Sequence, residues 1–183
     1  MKTILITYAV REEFHPIAIE GFRIHYVLTG VGKAKSALRL TKAIIEHQPD
    51  AVINVGTAGT LSHRVGDIFV CTRFVDRDFQ HTQLPGIEFE LETEKHELFA
   101  EFFSGCQPGV CSTGDTFVTE ASSFREDVVD MEAYAQALVC KEFERPFIAV
   151  KYVTDIIGQN SVKHWEDKLT DARKALTELL ARR

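Results

Sequence analysis

The amino-acid sequence predicts an α/β fold, a mixed and mostly parallel twisted sheet flanked by helices in three layers, carried by a single domain over residues 1–183. Three observations predict it. Short apolar runs alternate with longer amphipathic segments along the whole chain. Two of those runs, Ala51-Val52-Ile53-Asn54-Val55 and Phe147 to Val153, are nearly uninterrupted, as strands covered on both faces are. No repeat, low-complexity tract or linker breaks the series. A composition of 45% hydrophobic and 26% charged residues suits one compact core.

The elements follow in order. Ile4 to Val10 is short and strand-like, and a helix is expected to begin near Arg11. Phe22 to Thr29 alternates apolar and polar residues and reads as a strand before the turn Gly30-Val31-Gly32. A helix over Lys33 to His47, with Ala34, Ala37, Leu38, Ala43, Ile44 and Ile45 on its apolar side, is closed by Pro49. The buried strand Ala51 to Val55 is ended by Gly56-Thr57-Ala58-Gly59, and Gly66-Asp67 opens the next, Ile68 to Val75. The polar stretch from Asp76 to Glu92, with Pro85-Gly86, is the longest loop. A short helix around Lys95 to Phe103, a strand near Val110, a helix from about Asp130 to Phe143, the strand Phe147 to Val153 and a helix from about Val162 to Leu180 complete the chain.

Composition removes several classes of function. A formal charge of -6 with scattered Lys and Arg argues against broad nucleic-acid binding, and Arg182-Arg183 reads as a complement to a helix dipole. Cys71, Cys106, Cys111 and Cys140 form no CxxC pair and read as buried, reduced thiols, without a zinc site or disulfide framework. The histidines are dispersed and make no ligand pair, so no metal is expected, and no Gly-x-Ser-x-Gly elbow occurs. The N-terminal apolar run is too short for a signal peptide or membrane span, which gives a cytoplasmic expectation. Gly30-Val31-Gly32-Lys33 lacks the spacing of a dinucleotide or triphosphate loop, and no cofactor is expected.

Ligands of such folds collect at the carboxyl ends of the strands, which selects a few residues. Asp155 follows the run Phe147 to Val153 at the rim of the sheet. There it is either a poorly hydrated carboxyl suited to donate a proton or the cap of a turn. Glu132 opens a helix of small apolar residues, as a buried carboxylate seeking a partner such as a sugar diol or as a helix N-terminal interaction. Glu12 and Glu13 follow the first strand, where only one would point inward and a solvated helix face is the simpler account. Gly56-Thr57-Ala58-Gly59 offers backbone N–H groups and room for a planar or anionic ligand, or merely a chain reversal.

Taken together, several segments resemble the nucleoside phosphorylase and nucleosidase superfamily, and in particular the methylthioadenosine/S-adenosylhomocysteine nucleosidases. They are Tyr8-Ala9-Val10-Arg11-Glu12-Glu13-Phe14, Thr29-Gly30-Val31-Gly32-Lys33, Ile53-Asn54-Val55-Gly56-Thr57-Ala58-Gly59, Val65-Gly66-Asp67, Gln83-Leu84-Pro85-Gly86, Ser112-Thr113-Gly114-Asp115-Thr116-Phe117, Asp130-Met131-Glu132-Ala133 and Val153-Thr154-Asp155. The resemblance implies a nucleoside phosphorylase-like three-layer fold and hydrolysis of the N-glycosidic bond of a purine nucleoside without metal. Asp155 would protonate the purine, and backbone groups at Phe117 and Val118 would hold the base. Glu132 would bind ribose hydroxyls with Met131 against the sugar. Glu13, or in the alternative register Glu12, would position water, and Thr57, Ala58 and Gly59 would line the site. It also implies a homodimer that closes the 5′ side of the pocket.

Two negative charges beside Arg11 in the first loop favour water over phosphate as nucleophile, while Arg11 keeps a phosphorylase in play. A nucleoside-binding module without turnover is the third reading. The chain departs from the family pattern in its shorter stretches before Gly30 and between Leu91 and Gly114. Lys151 stands where arginine is common, and Tyr134 where a small residue is common. Trp165 and Phe79 are candidates for lining the 5′ pocket, or for core or interface packing.

Overall fold

The computed structural model describes residues 1–80, 82, 85–120, 125–159 and 161–182. Gln83 and Leu84 of the Gln83-Leu84-Pro85-Gly86 segment, and Arg183, lie outside them. The chain runs β1 (Lys2–Tyr8), β2 (Phe22–Leu28), α1 (Lys33–His47), β3 (Ala51–Thr60), β4 (Ile68–Asp76), β5 (Glu90–Glu92), α2 (Glu97–Phe103), β6 (Gln107–Thr113), β7 (Val128–Asp130), α3 (Ala133–Glu142), β8 (Phe147–Ile156) and α4 (Ser161–Ala181).

The strands form one sheet in the order β2-β1-β3-β7-β6-β4-β5, with β8 paired to both β3 and β4. The pairs β1–β2, β1–β3, β3–β8, β4–β6 and β6–β7 are parallel, whereas β3–β7, β4–β5 and β4–β8 are antiparallel. Following the pairings from β3 through β8, β4, β6 and β7 returns to β3, so part of the sheet closes on itself. The last link is the single bridge Gly59–Val129.

Because successive strand residues face opposite ways, β1 and β3 feed two cores. Leu5 and Val52 join Leu40 and Ile44 of α1, Ala137 and Cys140 of α3, and Phe74 and Phe147. Ile4, Ile6 and Ile53 join Phe99 and Phe102 of α2 and Ala172 and Leu176 of α4. Helices on both faces of the sheet make the three layers. No helix of the described residues is long and apolar enough to cross a membrane.

Several sequence expectations are corrected. No helix starts at Arg11: residues 11–13 turn and 14–19 are irregular. Pro16 lacks an N–H and disfavours helical backbone at His15. The apolar side of α1 is centred on Ser36, Leu40, Ala43 and Ile44, and Leu38 and Ile45 are 72% and 59% exposed. Gly56-Thr57-Ala58-Gly59 does not end β3, which continues to Thr60. These small residues serve close approach, since a Cβ on Gly56 would lie 3.4 Å from Lys151 Nζ. Asp130 closes β7 instead of opening a helix, and β8 runs on past Val153 to Ile156. The three-residue strands β5 and β7 are too short for periodicity to reveal. Cys106 is only partly buried; the other cysteines are buried, and all are free. His25 and His47, far apart in sequence, stack with ring centroids 4.0 Å apart.

Phe74 is 1% exposed and packs against Phe147 at a centroid distance of 5.4 Å. Phe74→Ala is expected to lower unfolding free energy by about 3–5 kcal/mol in urea titration, whereas Leu38→Ala should stay within about 0.5 kcal/mol.

Candidate functional site

The carboxyl ends of β3, β6, β7 and β8 and the segment after β1 surround a cavity of about 350 Å³. Glu13, Thr57, Ala58, Gly59, Phe117, Val118, Met131, Glu132 and Asp155 all line it. Glu13 is buried while Glu12 is exposed. The turn after β1 brings the Glu13 carboxylate back over its own backbone, where Oε2 accepts from the Val10 N–H at 3.2 Å. Its Oε1 accepts from the Thr57 N–H at 3.1 Å and from Thr57 Oγ1 at 2.5 Å. Thr57 Oγ1 also accepts from Trp165 Nε1 at 2.9 Å, which brings α4 onto the cavity.

Asp155 owes its setting to an irregularity between β3 and β8. Ala58 pairs with Val153 but Gly59 pairs with Asp155, leaving Thr154 as an extra residue on β8. Such bulges re-aim side chains at the ends of paired strands. Asp155 is 2% exposed, its Oδ1 accepts from Thr154 Oγ1 at 2.9 Å, and Gly59 gives it room: a Cβ there would fall 3.0 Å from Asp155 Oδ2.

Glu132 occupies the N-cap position of α3 without capping it by its side chain. Instead Oε1 accepts from the Gly32 N–H at 3.0 Å and so ties α3 to the start of α1, where Asp115 Oδ1 accepts from the Lys33 N–H at 2.8 Å. Burial is the largest influence on Glu132; with the neighbouring Asp130 charge it pushes the carboxyl up to about 8, against the pull of Lys151 and the Gly32 N–H. Beneath it, Lys151 Nζ pairs with Asp130 Oδ2 at 2.8 Å, both side chains 1% exposed. Asp130 is held in its charged form despite burial, chiefly by Lys151.

Two charged residues that line the site, Asp130 and Arg77, have no role assigned by the sequence. Asp130 belongs to the Asp130-Met131-Glu132-Ala133 segment, whose identity alone does not show that it pairs with Lys151. Arg77, in what read as a polar loop, donates through Nη1 to the Ser112 and Asp130 carbonyls at 2.9 and 2.8 Å, and through Nη2 to those of Gly114 and Thr116. The guanidinium thereby braces the loop leading to Phe117. It also explains Gly114, where a Cβ would come within 2.7 Å of Arg77 Nε and Asp78 Oδ1. Only the spacing between Arg77 and that glycine carries a signal, and it is long-range. Of the two aromatic candidates for the 5′ side, Trp165 lines the cavity but Phe79 does not; Phe79 is 46% exposed beside Lys33. Tyr134 turns away, its hydroxyl donating to the Glu88 carbonyl at 3.2 Å.

A family model described as the phosphorylase superfamily matches residues 8–182. The chain belongs to the phosphorylase superfamily. Among relatives within it, the 5'-methylthioadenosine/S-adenosylhomocysteine nucleosidase of Bacillus velezensis is 31% identical over 194 residues, covering 92% of this chain and 83% of its own. That of Bacillus subtilis is 31% identical over 193 residues with the same coverage of each chain. Both alignments are longer than the 183 residues of this superfamily member, which therefore lacks internal segments that the relatives carry. The fold matches that of an S-adenosylhomocysteine nucleosidase from Streptococcus pyogenes in complex with 5-methylthiotubericidin. The TM-score is 0.84 at 24% identity, over 98% of this chain and 94% of that one.

Glu132 yields a signed prediction. Its carboxyl sits near 8 in the folded protein against an ordinary 4.5, so the folded state holds the proton more tightly and stability falls as pH rises from about 4.5 through about 8. Glu132→Gln should therefore gain in Tm over the parent progressively across that interval and no further above it, measured by calorimetry at matched ionic strength.

Proposed function

We propose that the protein hydrolyses the N-glycosidic bond of a purine nucleoside, methylthioadenosine, S-adenosylhomocysteine or a close relative, and releases the free base. The observation that carries this reading is the convergence of Glu13, Glu132 and Asp155, from three separate parts of the chain, on one cavity.

Breaking this bond builds positive charge on the sugar while the leaving base gains electrons. Asp155 is the general acid at the purine, with the backbone of Phe117 and Val118 holding the base. Glu132 receives the ribose hydroxyls, Met131 lies against the sugar, and Glu13 positions and activates water. The small residues Ala58 and Gly59 leave space for the ligand beside Thr57. The names of relatives at 31% identity support the same substrate class.

Water, not phosphate, is supported as the nucleophile by what Glu13 occupies. The Val10 N–H, the Thr57 N–H and the Thr57 hydroxyl are the donors an incoming anion would need, and each already serves the Glu13 carboxylate. Among the described residues, Arg77 at the cavity and Lys151 beneath it are engaged as well, Arg77 with main-chain carbonyls and Lys151 with Asp130. A phosphate there would meet a negative charge and find its ligands taken.

A homodimer belongs to the same reading. Phe117 and Val162 are 36% and 48% exposed at the cavity, apolar surface that a second chain would cover. Light scattering at micromolar concentration should give twice the chain mass, and a monomer that turns over at full rate would remove this part of the proposal.

Incubation with methylthioadenosine, S-adenosylhomocysteine, adenosine, inosine and futalosine is expected to release free base from at least one of them in phosphate-free buffer. A requirement for phosphate with formation of ribose 1-phosphate would replace hydrolysis by phosphorolysis, and tight binding without release would leave a binding module. Asp155→Asn should keep the fold and lose roughly 10²-fold or more in kcat, since the amide has no acidic proton to give. Turnover at the parent rate would refute the acid assignment.

A further inference from the structure

We infer that Trp165 is a positioning residue for this reaction: through the Thr57 hydroxyl, its indole N–H fixes the carboxylate that orients the attacking water. The inference rests on the role proposed above for Glu13.

Trp165 lies near the start of α4. Farther along, the helix is fastened to the sheet by Ala172, Leu176 and Leu180, buried in the core below β1, β3 and β8. Near its start, Val162 and Trp165 turn to the cavity instead. The indole meets the ring of Phe117 edge-on at 6.3 Å and donates from Nε1 to Thr57 Oγ1 at 2.9 Å. The same oxygen is 2.5 Å from Glu13 Oε1.

The direction of this chain of hydrogen bonds is set by the chemistry of its members. An indole N–H only donates, and a hydroxyl has a single proton. With a lone pair of Thr57 Oγ1 committed to Trp165, its proton is directed away from the indole, to Glu13. Glu13 Oε1 then receives both the Thr57 N–H and the Thr57 O–H, and its remaining acceptor capacity faces the cavity. Without the indole, the hydroxyl can swing its proton elsewhere, and Glu13 keeps only the Val10 and Thr57 N–H bonds. The carboxylate stays in place but its alignment loosens. A nucleoside lying between Phe117 and Thr57 bears on the indole that completes the relay, so the wall of the pocket and the water site share one side chain.

A residue that only walls the pocket would, when changed, raise KM according to the size of the 5′ group. A relay lowers kcat alike for every substrate. Trp165→Phe, which keeps an aromatic ring and loses the N–H, is expected to lower kcat roughly threefold to tenfold, the order of one neutral hydrogen bond, with the same factor for small and large 5′ groups. Thr57→Val should show a comparable loss that Trp165→Phe does not deepen, and Thr57→Ser should restore it. Glu13→Gln, assayed alongside, separates the two claims. Parent turnover in Glu13→Gln would discard the role of Glu13 itself, whereas a slow Glu13→Gln beside a Trp165→Phe of unchanged kcat would overturn only the relay.

A second measurement needs no activity. The chain has one tryptophan, so an ¹⁵N–¹H spectrum contains one indole N–H resonance. It is expected to move upfield in Thr57→Val and to stay in place in Thr57→Ser. An indole resonance unmoved by Thr57→Val would show that the bond is not made and end the inference.

Discussion

The acidic lining of the cavity is organised around one buried ammonium. Lys151 and Asp130 are both removed from water, a transfer that costs several kcal/mol per ion unless the pair is close and its remaining groups are satisfied. Here they are: Asp130 Oδ1 accepts from Thr113 Oγ1 at 2.5 Å and Oδ2 from the Ala133 N–H at 2.9 Å, while Thr113 Oγ1 accepts from the Tyr134 N–H at 3.0 Å. The network joins the ends of β6 and β7 to the first turn of α3. Lys151 also favours the charged form of Glu132, and it shares with Glu13 the space left by the missing side chain of Gly56. Two carboxylates, Asp130 and Glu132, therefore depend on a cation carried by another strand. An ammonium is a compact point charge without the planar fork of a guanidinium, so it pairs tightly with Asp130 and acts on Glu132 through the field alone.

Much of this was legible in the sequence, and the parts that were not share a physical reason. The boundaries of α1 and the start of β8 follow from local periodicity and from Gln48, whose left-handed conformation closes the helix before Pro49. Glu13, Thr57, Ala58, Gly59, Glu132 and Asp155 could be named from their places in the chain, and Phe117, Val118 and Met131 only through the resemblance; all of them line the cavity. What could not be read locally was set by distant partners. β3 passes through Gly56 and Gly59 as a strand because Lys151 and Asp155 come in from β8, and the same glycines in isolation read as a stop. The segment around Arg11 has helix-forming residues, yet the Glu13 carboxylate is bound to Thr57 and Phe14 is buried, contacts that a regular helix there would have to satisfy otherwise. Arg77 was invisible for the same cause: its partners are carbonyl oxygens, which leave no trace in residue identity.

The glutamates of the first loop illustrate how structure resolves an ambiguity that charge alone could not. Glu12 and Glu13 are chemically alike, and only the turn that returns Glu13 over the Val10 N–H distinguishes them. Once seated, its carboxylate occupies donors that would otherwise suit an anion.

The closure of the sheet bears on how the molecule comes apart. β2 and β5 each have a single neighbour and can fray singly, but β8 is bonded along both sides, to β3 and to β4. Amides of β8 from Ala149 to Tyr152, the stretch bonded on both sides, can exchange with solvent only when the ring opens as a unit, so Lys151 sits in the most cooperative part of the structure. Mild denaturant or brief heating will thus strip the margins of the sheet before it disturbs the pairing around Lys151.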